Sequence, residues 1–228
     1  MAYNTLLFDI DDTLLDFQAS EAAALRQLFV EMEQPLTAAD AAYYHRVNAE
    51  LWQRYERGDI TRPALLIERF NRLFEHMGQS GVDARQAEAT YRRHLAAGHT
   101  VLPYAREVLQ TLTRDHQLYV ITNGIAATQR RRLRESGLVD YFNKVYISEV
   151  VGAKKPDPQF FESVAADITH FDKQRALVIG DSLSSDILGA AQFNVDSIWF
   201  NPARTVNASD VQPTFEVADL RQIPKIVG

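Results

Sequence analysis

Five short apolar, β-branched runs near residues 4–9, 117–122, 144–148, 176–180 and 196–200 constrain this chain more than any other feature. Each has strand length, and the stretches between them are long enough for crossover helices. Parallel strands need such crossovers and are buried on both faces, so they read as continuous apolar runs. The pattern predicts an α/β fold, a doubly wound, Rossmann-like, mostly parallel sheet wrapped by helices. A further run, Thr214-Phe215-Glu216-Val217, predicts an edge strand before a last helix around residues 219–223.

The segment 17–97 breaks this alternation, because it holds no convincing strand. Leu25, Leu28, Phe29 and Met32 fall at helical spacing. Thr37-Ala38-Ala39-Asp40 resembles a capping box opening a second helix. Thr61 and Pro63 open a third, which carries Leu66, Phe70, Leu73, Phe74 and Met77 and stops at Gly78. Asp83 can cap a fourth, running through Tyr91 to Leu95. The expected organisation is a catalytic core of residues 1–16 and 98–228 with an all-α domain, 17–97, inserted after the first strand.

The first apolar run, Leu6-Leu7-Phe8, delivers Asp9-Ile10-Asp11-Asp12-Thr13 to one end of the sheet. Residues i and i+2 of an extended chain project to the same side, so Asp9 and Asp11 can face one reacting centre. Like charges that close are costly unless a cation lies between them or one keeps its proton. Phosphoryl transfer through an aspartyl phosphate uses both, one carboxylate attacking while the other handles the proton. Alone, the motif reads equally well as an acidic turn. Three further segments supply the missing parts. Tyr119-Val120-Ile121-Thr122-Asn123-Gly124 ends in a hydroxyl, an amide and a glycine suited to a phosphate oxygen. Gly152-Ala153-Lys154-Lys155-Pro156-Asp157 supplies an ammonium, and Leu177-Val178-Ile179-Gly180-Asp181, followed by Asp186, offers carboxylate for a hard cation.

In this order and at these separations, the four segments resemble the four motifs of the haloacid dehalogenase (HAD) superfamily of Mg²⁺-dependent phosphohydrolases. The resemblance spans nearly the whole chain and implies roles residue by residue. Asp9 becomes the nucleophile, and Asp11 the acid that protonates the leaving oxygen and then the base that activates water. Mg²⁺ is the implied cofactor, held by the Asp9 carboxylate, the Asp11 backbone carbonyl and the Asp181 carboxylate. Thr122 and Asn123 would hold phosphate oxygens through hydroxyl and backbone N–H. The residue directly before Pro156 matches the family pattern, so Lys155 rather than Lys154 would neutralise phosphate and steady Asp9. Asp186 would orient Lys155 or a metal-bound water, although it also reads as a helix-start acid. Asp12 and Asp16 receive no chemical role.

The inserted helices resemble the cap that many HAD enzymes carry, which sits over the strand ends, excludes water and reads the substrate beyond its phosphate. A flavodoxin-type strand order would set the first, second and fourth strand ends side by side and bring Asp9, Thr122 and Asp181 together. Asn48-x-x-Leu51-Trp52-x-x-Tyr55, Gly58-x-Ile60-Thr61 and Arg69-Phe70 resemble bacterial HAD pyrimidine 5′-nucleotidases. So do Gln129-x-x-Arg132-Leu133, Ser136-Gly137-Leu138 and Tyr141-Phe142, which many other HAD enzymes share. The resemblance implies hydrolysis of a nucleoside monophosphate such as dUMP. Phosphoglycolate or another small sugar phosphate is the alternative substrate. Haloacid dehalogenation needs neither Asp11 nor Mg²⁺, and a mutase needs a cap that shields the intermediate from water. A non-enzymatic relative is expected to lack one of the four motifs, and none is missing.

Composition narrows the classes. A formal charge of −6 argues against nonspecific affinity for DNA, RNA or anionic membrane, while the small phosphorylated metabolite that the resemblance implies as partner stays possible because a bound cation and Lys155 would set the local field. With no cysteine there is no disulfide framework, thiolate metal site or cysteine nucleophile. No apolar run approaches the roughly 20 residues of a membrane span, and the first strand begins without a signal-like segment. A cytoplasmic monomer or weak homo-oligomer is expected. The cluster Arg130, Arg131, Arg132 and Arg134 reads as a solvated helix face, and the six histidines show no paired metal-ligand spacing. Trp199 reads as strand core. Asn48, Trp52 and Tyr55 share one helix stripe, which reads first as packing and second as a nucleobase platform.

Overall fold

The computed structural model describes residues 3–228. The chain divides into two compact units, Gln18–Gly98 and the remainder. In chain order, strand β1 (Thr5–Phe8) is followed by four helices, α1 (Phe17–Glu31), α2 (Ala38–Arg57), α3 (Arg62–His76) and α4 (Ala84–Leu95). The remainder runs α5 (Ala105–Leu112), β2 (Gln117–Thr122), α6 (Ala126–Glu135), β3 (Lys144–Ile147), α7 (Ser148–Val151), α8 (Pro158–Asp167) and β4 (Ala176–Gly180). A π-helical turn, Leu183–Ile187, leads into α9 (Leu188–Phe193), then β5 (Asp196–Phe200), β6 (Phe215–Val217) and α10 (Ile223–Val227).

The six strands form one parallel sheet in the order β3-β2-β1-β4-β5-β6. This is the dinucleotide-fold order, not the flavodoxin type expected, because β3 lies outside β2 before the chain crosses back to the far edge of β1. The expected neighbours are kept. Phe8 is in register with Val120 of β2 on one side and Ile179 of β4 on the other. Side chains alternate between two cores. Leu6 and Phe8 pack with α5 and α10 residues such as Leu109 and Ile223, while Leu7 packs with Phe160, Phe161 and Val164 of α8. Burial on both faces is why each strand reads as a continuous apolar run. Each fully buried large side chain contributes roughly 1.5–3 kcal/mol.

In the helical unit, local chemistry sets the boundaries. Thr37 caps α2 with the full capping box to Asp40, and α2 stops at Gly58, whose φ of 86° is the left-handed turn that glycine tolerates. Thr61 caps α3 and Asp83 caps α4. The helices bury Leu25, Leu28, Phe29, Tyr44, Leu51, Phe70, Leu73 and Tyr91. They also bury a polar chain. Arg69 pairs with Glu88 at 2.5 Å and donates to Asn48 Oδ1 at 3.0 Å, while Asn48 Nδ2 donates to Glu21 Oε1 at 2.6 Å. Among the described residues no helix is long and apolar enough to cross a membrane.

Candidate active site

Successive strands are added outward in opposite directions from β1 and β4, which run parallel, and in open α/β sheets that switch point leaves a crevice at the carboxyl ends of the strands. Asp9 follows β1 directly, Thr122 closes β2, and Asp181 follows β4. The Asp9 N–H donates to the Ile179 carbonyl at 2.8 Å, carrying the β1–β4 ladder one step further and seating Asp9 at the switch point.

Lys155 is 1% exposed, and its ammonium donates to Asp9 Oδ1 at 2.6 Å, Asp186 Oδ1 at 2.6 Å and the Ile121 carbonyl at 3.0 Å. Burial alone would lower its pKa, but the Asp186 and Asp9 carboxylates outweigh that and raise it, so the ammonium stays charged. Asn123 holds the Lys155 backbone from both sides. Its Nδ2 donates to the Lys155 carbonyl and its Oδ1 accepts from the Lys155 N–H, both at 2.9 Å. The Asn123 side-chain amide is therefore engaged by the lysine loop. Asp186, on the π-helical turn, is wholly buried, and its second oxygen accepts from the Ser182 N–H at 3.2 Å.

Carboxylate oxygens of Asp9, Asp181 and Asp186 lie within 4.8 Å of one another. Burial pushes Asp9 up to about 8, opposed by Lys155 and reinforced by the charges of Asp186 and Asp11. Burial first, then the charges of Asp9, Asp186 and Asp12, raises Asp181 well above the usual carboxylate range. Three carboxylates thus share one ammonium, and this all-oxygen, charge-deficient cluster fits a hard divalent cation. The Asp186 oxygens already serve Lys155 and Ser182, so Asp9 and Asp181 are the better cation ligands. Two contacts orient Asp181. The Trp199 indole N–H donates to its carbonyl at 2.8 Å, and the Thr13 hydroxyl donates to its Oδ1 at 3.3 Å. Trp199 thus packs in the core, as expected, and also braces the acidic turn.

Asp11 has partners that the sequence reading did not foresee. Its Oδ1 accepts from the Arg132 guanidinium, and its Oδ2 accepts from Gln129 Nε2 at 2.8 Å. Gln129 Nε2 also donates to the Thr122 hydroxyl at 3.0 Å. The expectation that the arginine cluster forms one solvated face is therefore corrected. Arg130 and Arg134 are exposed and Arg131 pairs with Glu135, but Arg132 is 1% exposed. A helix turns 100° per residue, so four arginines within five positions cannot share a face. The available signal was the i, i+3 spacing of Gln129 and Arg132, with Leu133 completing a buried stripe.

The remaining candidates take structural places. Asp12, with φ 55°, accepts from the Phe17 N–H at 2.9 Å and so tethers the start of α1. Asn48 is buried with both ends of its amide bonded, which favours packing over base recognition, and Trp52 meets Tyr55 edge to face at 5.6 Å. His45 faces Glu21 and His94 faces Glu31, and among the described residues no histidine joins a metal-ligating cluster.

Comparison with known proteins places this arrangement. The profile of the haloacid dehalogenase-like hydrolases matches residues 3–194. The pyrimidine 5′-nucleotidase PynA of Streptococcus pneumoniae is 44% identical over 218 residues, covering 95% of this chain and 92% of its own. The pyrimidine 5′-nucleotidase YjjG of Escherichia coli is 30% identical over 227 residues, covering 100% of this chain and 99% of its own. A crystal structure of the HAD-hydrolase YfnB of Bacillus subtilis, bound to magnesium, is similar over 100% of both chains with a TM-score of 0.96 and 39% identity.

Proposed function

This chain belongs to the haloacid dehalogenase-like hydrolases, and we propose that within that family it is a Mg²⁺-dependent phosphomonoesterase acting on a nucleoside 5′-monophosphate, a pyrimidine nucleotide such as dUMP. The observation that carries the reading is the carboxylate cluster around Lys155, with Asp11 held on the Thr122 side of the site. A dehalogenase needs neither the cation nor the second carboxylate. Two relatives named as pyrimidine 5′-nucleotidases support the choice of substrate.

Asp9 attacks phosphorus in line, forming an Asp9 carboxyl O–P bond as the bond from phosphorus to the ester oxygen breaks. Asp11 gives its proton to that oxygen, then as a carboxylate takes one from the water that attacks phosphorus and releases Asp9. Lys155 holds Asp9 in place and offers positive charge beside the developing charge on the phosphoryl oxygens. The Thr122 hydroxyl and the Asn123 backbone N–H hold those oxygens. Mg²⁺ would be held by the Asp9 and Asp181 carboxylates with the Asp11 main-chain carbonyl, and it would neutralise charge on the transferring group. Asp186 steadies Lys155. Sheet-end groups recognise only phosphate and cation, so selection of the nucleoside is assigned to the helical unit Gln18–Gly98.

A panel of phosphate esters assayed with Mg²⁺ and with EDTA tests this reading. The expected result is Mg²⁺-dependent release of phosphate, with kcat/KM highest for a pyrimidine nucleoside monophosphate. A sugar phosphate or phosphoglycolate that clearly exceeds every nucleotide would overturn the nucleotidase assignment. Full activity in EDTA would overturn the metal-dependent one.

A further inference from the structure

We propose that Arg132 and Gln129 form a positioning pair that fixes the Asp11 carboxylate and couples it to the phosphate cradle at Thr122. The inference rests on the phosphomonoesterase reading above. Three side chains from two separate segments close a ring, and Thr122 from a third segment is joined to it through Gln129. Arg132 donates to Asp11 Oδ1, Gln129 Nε2 donates to Asp11 Oδ2 at 2.8 Å and to Thr122 Oγ1 at 3.0 Å, and Gln129 Oε1 accepts from Arg132 Nη1 at 3.1 Å. With both oxygens held, the carboxyl plane of Asp11 is fixed.

The neighbouring chain makes room for this ring. A Cβ at Gly124 would lie 2.6 Å from the Gln129 Cδ, so the phosphate loop needs glycine there for the amide to reach across it. Arg132 lies 1% exposed, with its guanidinium 5.8 Å from the centre of the Phe17 ring. A buried guanidinium is costly unless a charge and good geometry compensate it, and the carboxylate supplied is the proposed acid–base of the reaction.

The ring also sets the polarity of Thr122. Its hydroxyl oxygen accepts from the Gly124 N–H at 3.0 Å and from Gln129 Nε2 at 3.0 Å. With both acceptor positions used, its own O–H proton remains to donate to a phosphoryl oxygen. Gln129 thus orders the proton donor of the cradle and the acid–base group at once. Displacement of a general acid by about 1 Å can cost a hundredfold in rate, so the pair should control turnover more than binding.

The test uses Arg132→Met, Arg132→Lys and Gln129→Met in the full chain, with dUMP as an alkyl ester and p-nitrophenyl phosphate as an ester whose leaving group needs no proton. Single-turnover phosphorylation rates, steady-state kcat and KM, Mg²⁺ half-saturation and melting temperature are measured. Arg132→Met should slow phosphorylation by dUMP about 30–100-fold and by p-nitrophenyl phosphate less than about 5-fold, with KM and Mg²⁺ half-saturation within about 3-fold of wild type. Arg132→Lys should recover a substantial part of the rate. Gln129→Met should show the same leaving-group asymmetry, together with a higher KM through Thr122, and it decides the matter if Arg132→Met does not fold. Equal losses on both esters, or wild-type rates in these variants, would overturn the proposal. Wild-type protein inert towards both esters in Mg²⁺ would instead overturn the phosphomonoesterase reading.

Discussion

Gly180 and Asp186 occupy adjoining space so closely that a Cβ at position 180 would lie 2.2 Å from Asp186 Oδ2. The glycine that ends β4 is therefore what lets the Asp186 carboxylate fold back over the strand end and reach Lys155 at 2.6 Å.

Gly180→Ala should accordingly push Asp186 away from Lys155 and from the Ser182 N–H. Overpacking of this kind typically costs about 1–3 kcal/mol, so the melting temperature should fall and turnover should drop at least about tenfold through the loosened lysine. Melting curves and kcat measured together check this. A variant with wild-type values for both would show that Asp186 does not steady Lys155.

Asp9→Asn removes the carboxylate proposed to attack phosphorus and should eliminate the acid-stable phosphoenzyme expected from the wild type on rapid quench, with kcat lower by more than about a thousandfold. Asp11→Asn should also stop turnover, for a different reason, since an amide cannot pass the proton. Phosphoenzyme formed by Asp9→Asn at the wild-type rate would exclude Asp9 as nucleophile.

Mg²⁺ should stabilise the folded chain. At a concentration a hundredfold above its dissociation constant, linkage gives about 2.7 kcal/mol, or on the order of 5–10 °C in melting temperature. Asp181→Ala should abolish most of that shift, and EDTA should remove both the shift and the activity. An undiminished Mg²⁺ shift in Asp181→Ala would place the cation elsewhere.

Arg69→Met should be among the most disruptive single changes in the helical unit. It leaves the buried Glu88 without its partner at 2.5 Å and removes the donor to Asn48. Breaking one side of a buried ion pair costs about 3–5 kcal/mol. Limited proteolysis should then cut first within Gln18–Gly98. Resistance equal to wild type would show that the pair contributes little.

Trp52 and Asn48 should separate substrate selection from packing. Asn48 is 2% exposed with its amide engaged on both sides, so Asn48→Ala should lower the melting temperature and reduce activity on dUMP and p-nitrophenyl phosphate alike. Trp52 is only half-buried, and Trp52→Ala should selectively reduce kcat/KM for dUMP. A parallel loss on both esters would limit Trp52 to packing.

The sequence by itself determined the elements and their chemical equipment, because those properties are local. Strands buried on both faces must be continuous apolar runs, and helix starts carry their own caps, as Thr37, Thr61 and Asp83 do. The apolar run of β1 also placed Asp9 directly after its last residue, Phe8. Tertiary structure alone decided which distant groups meet. The order β3-β2-β1-β4-β5-β6 depends on how crossovers pack, and no local window records it. The sequence offers no sign that the Asn123 side-chain amide holds the Lys155 backbone 32 residues away. Arg132 looked like one more solvated arginine because its partner, Asp11, lies 121 residues earlier. A charge run records sign and helical phase. Whether one of its members is desolvated depends on the carboxylate that the rest of the fold brings to meet it.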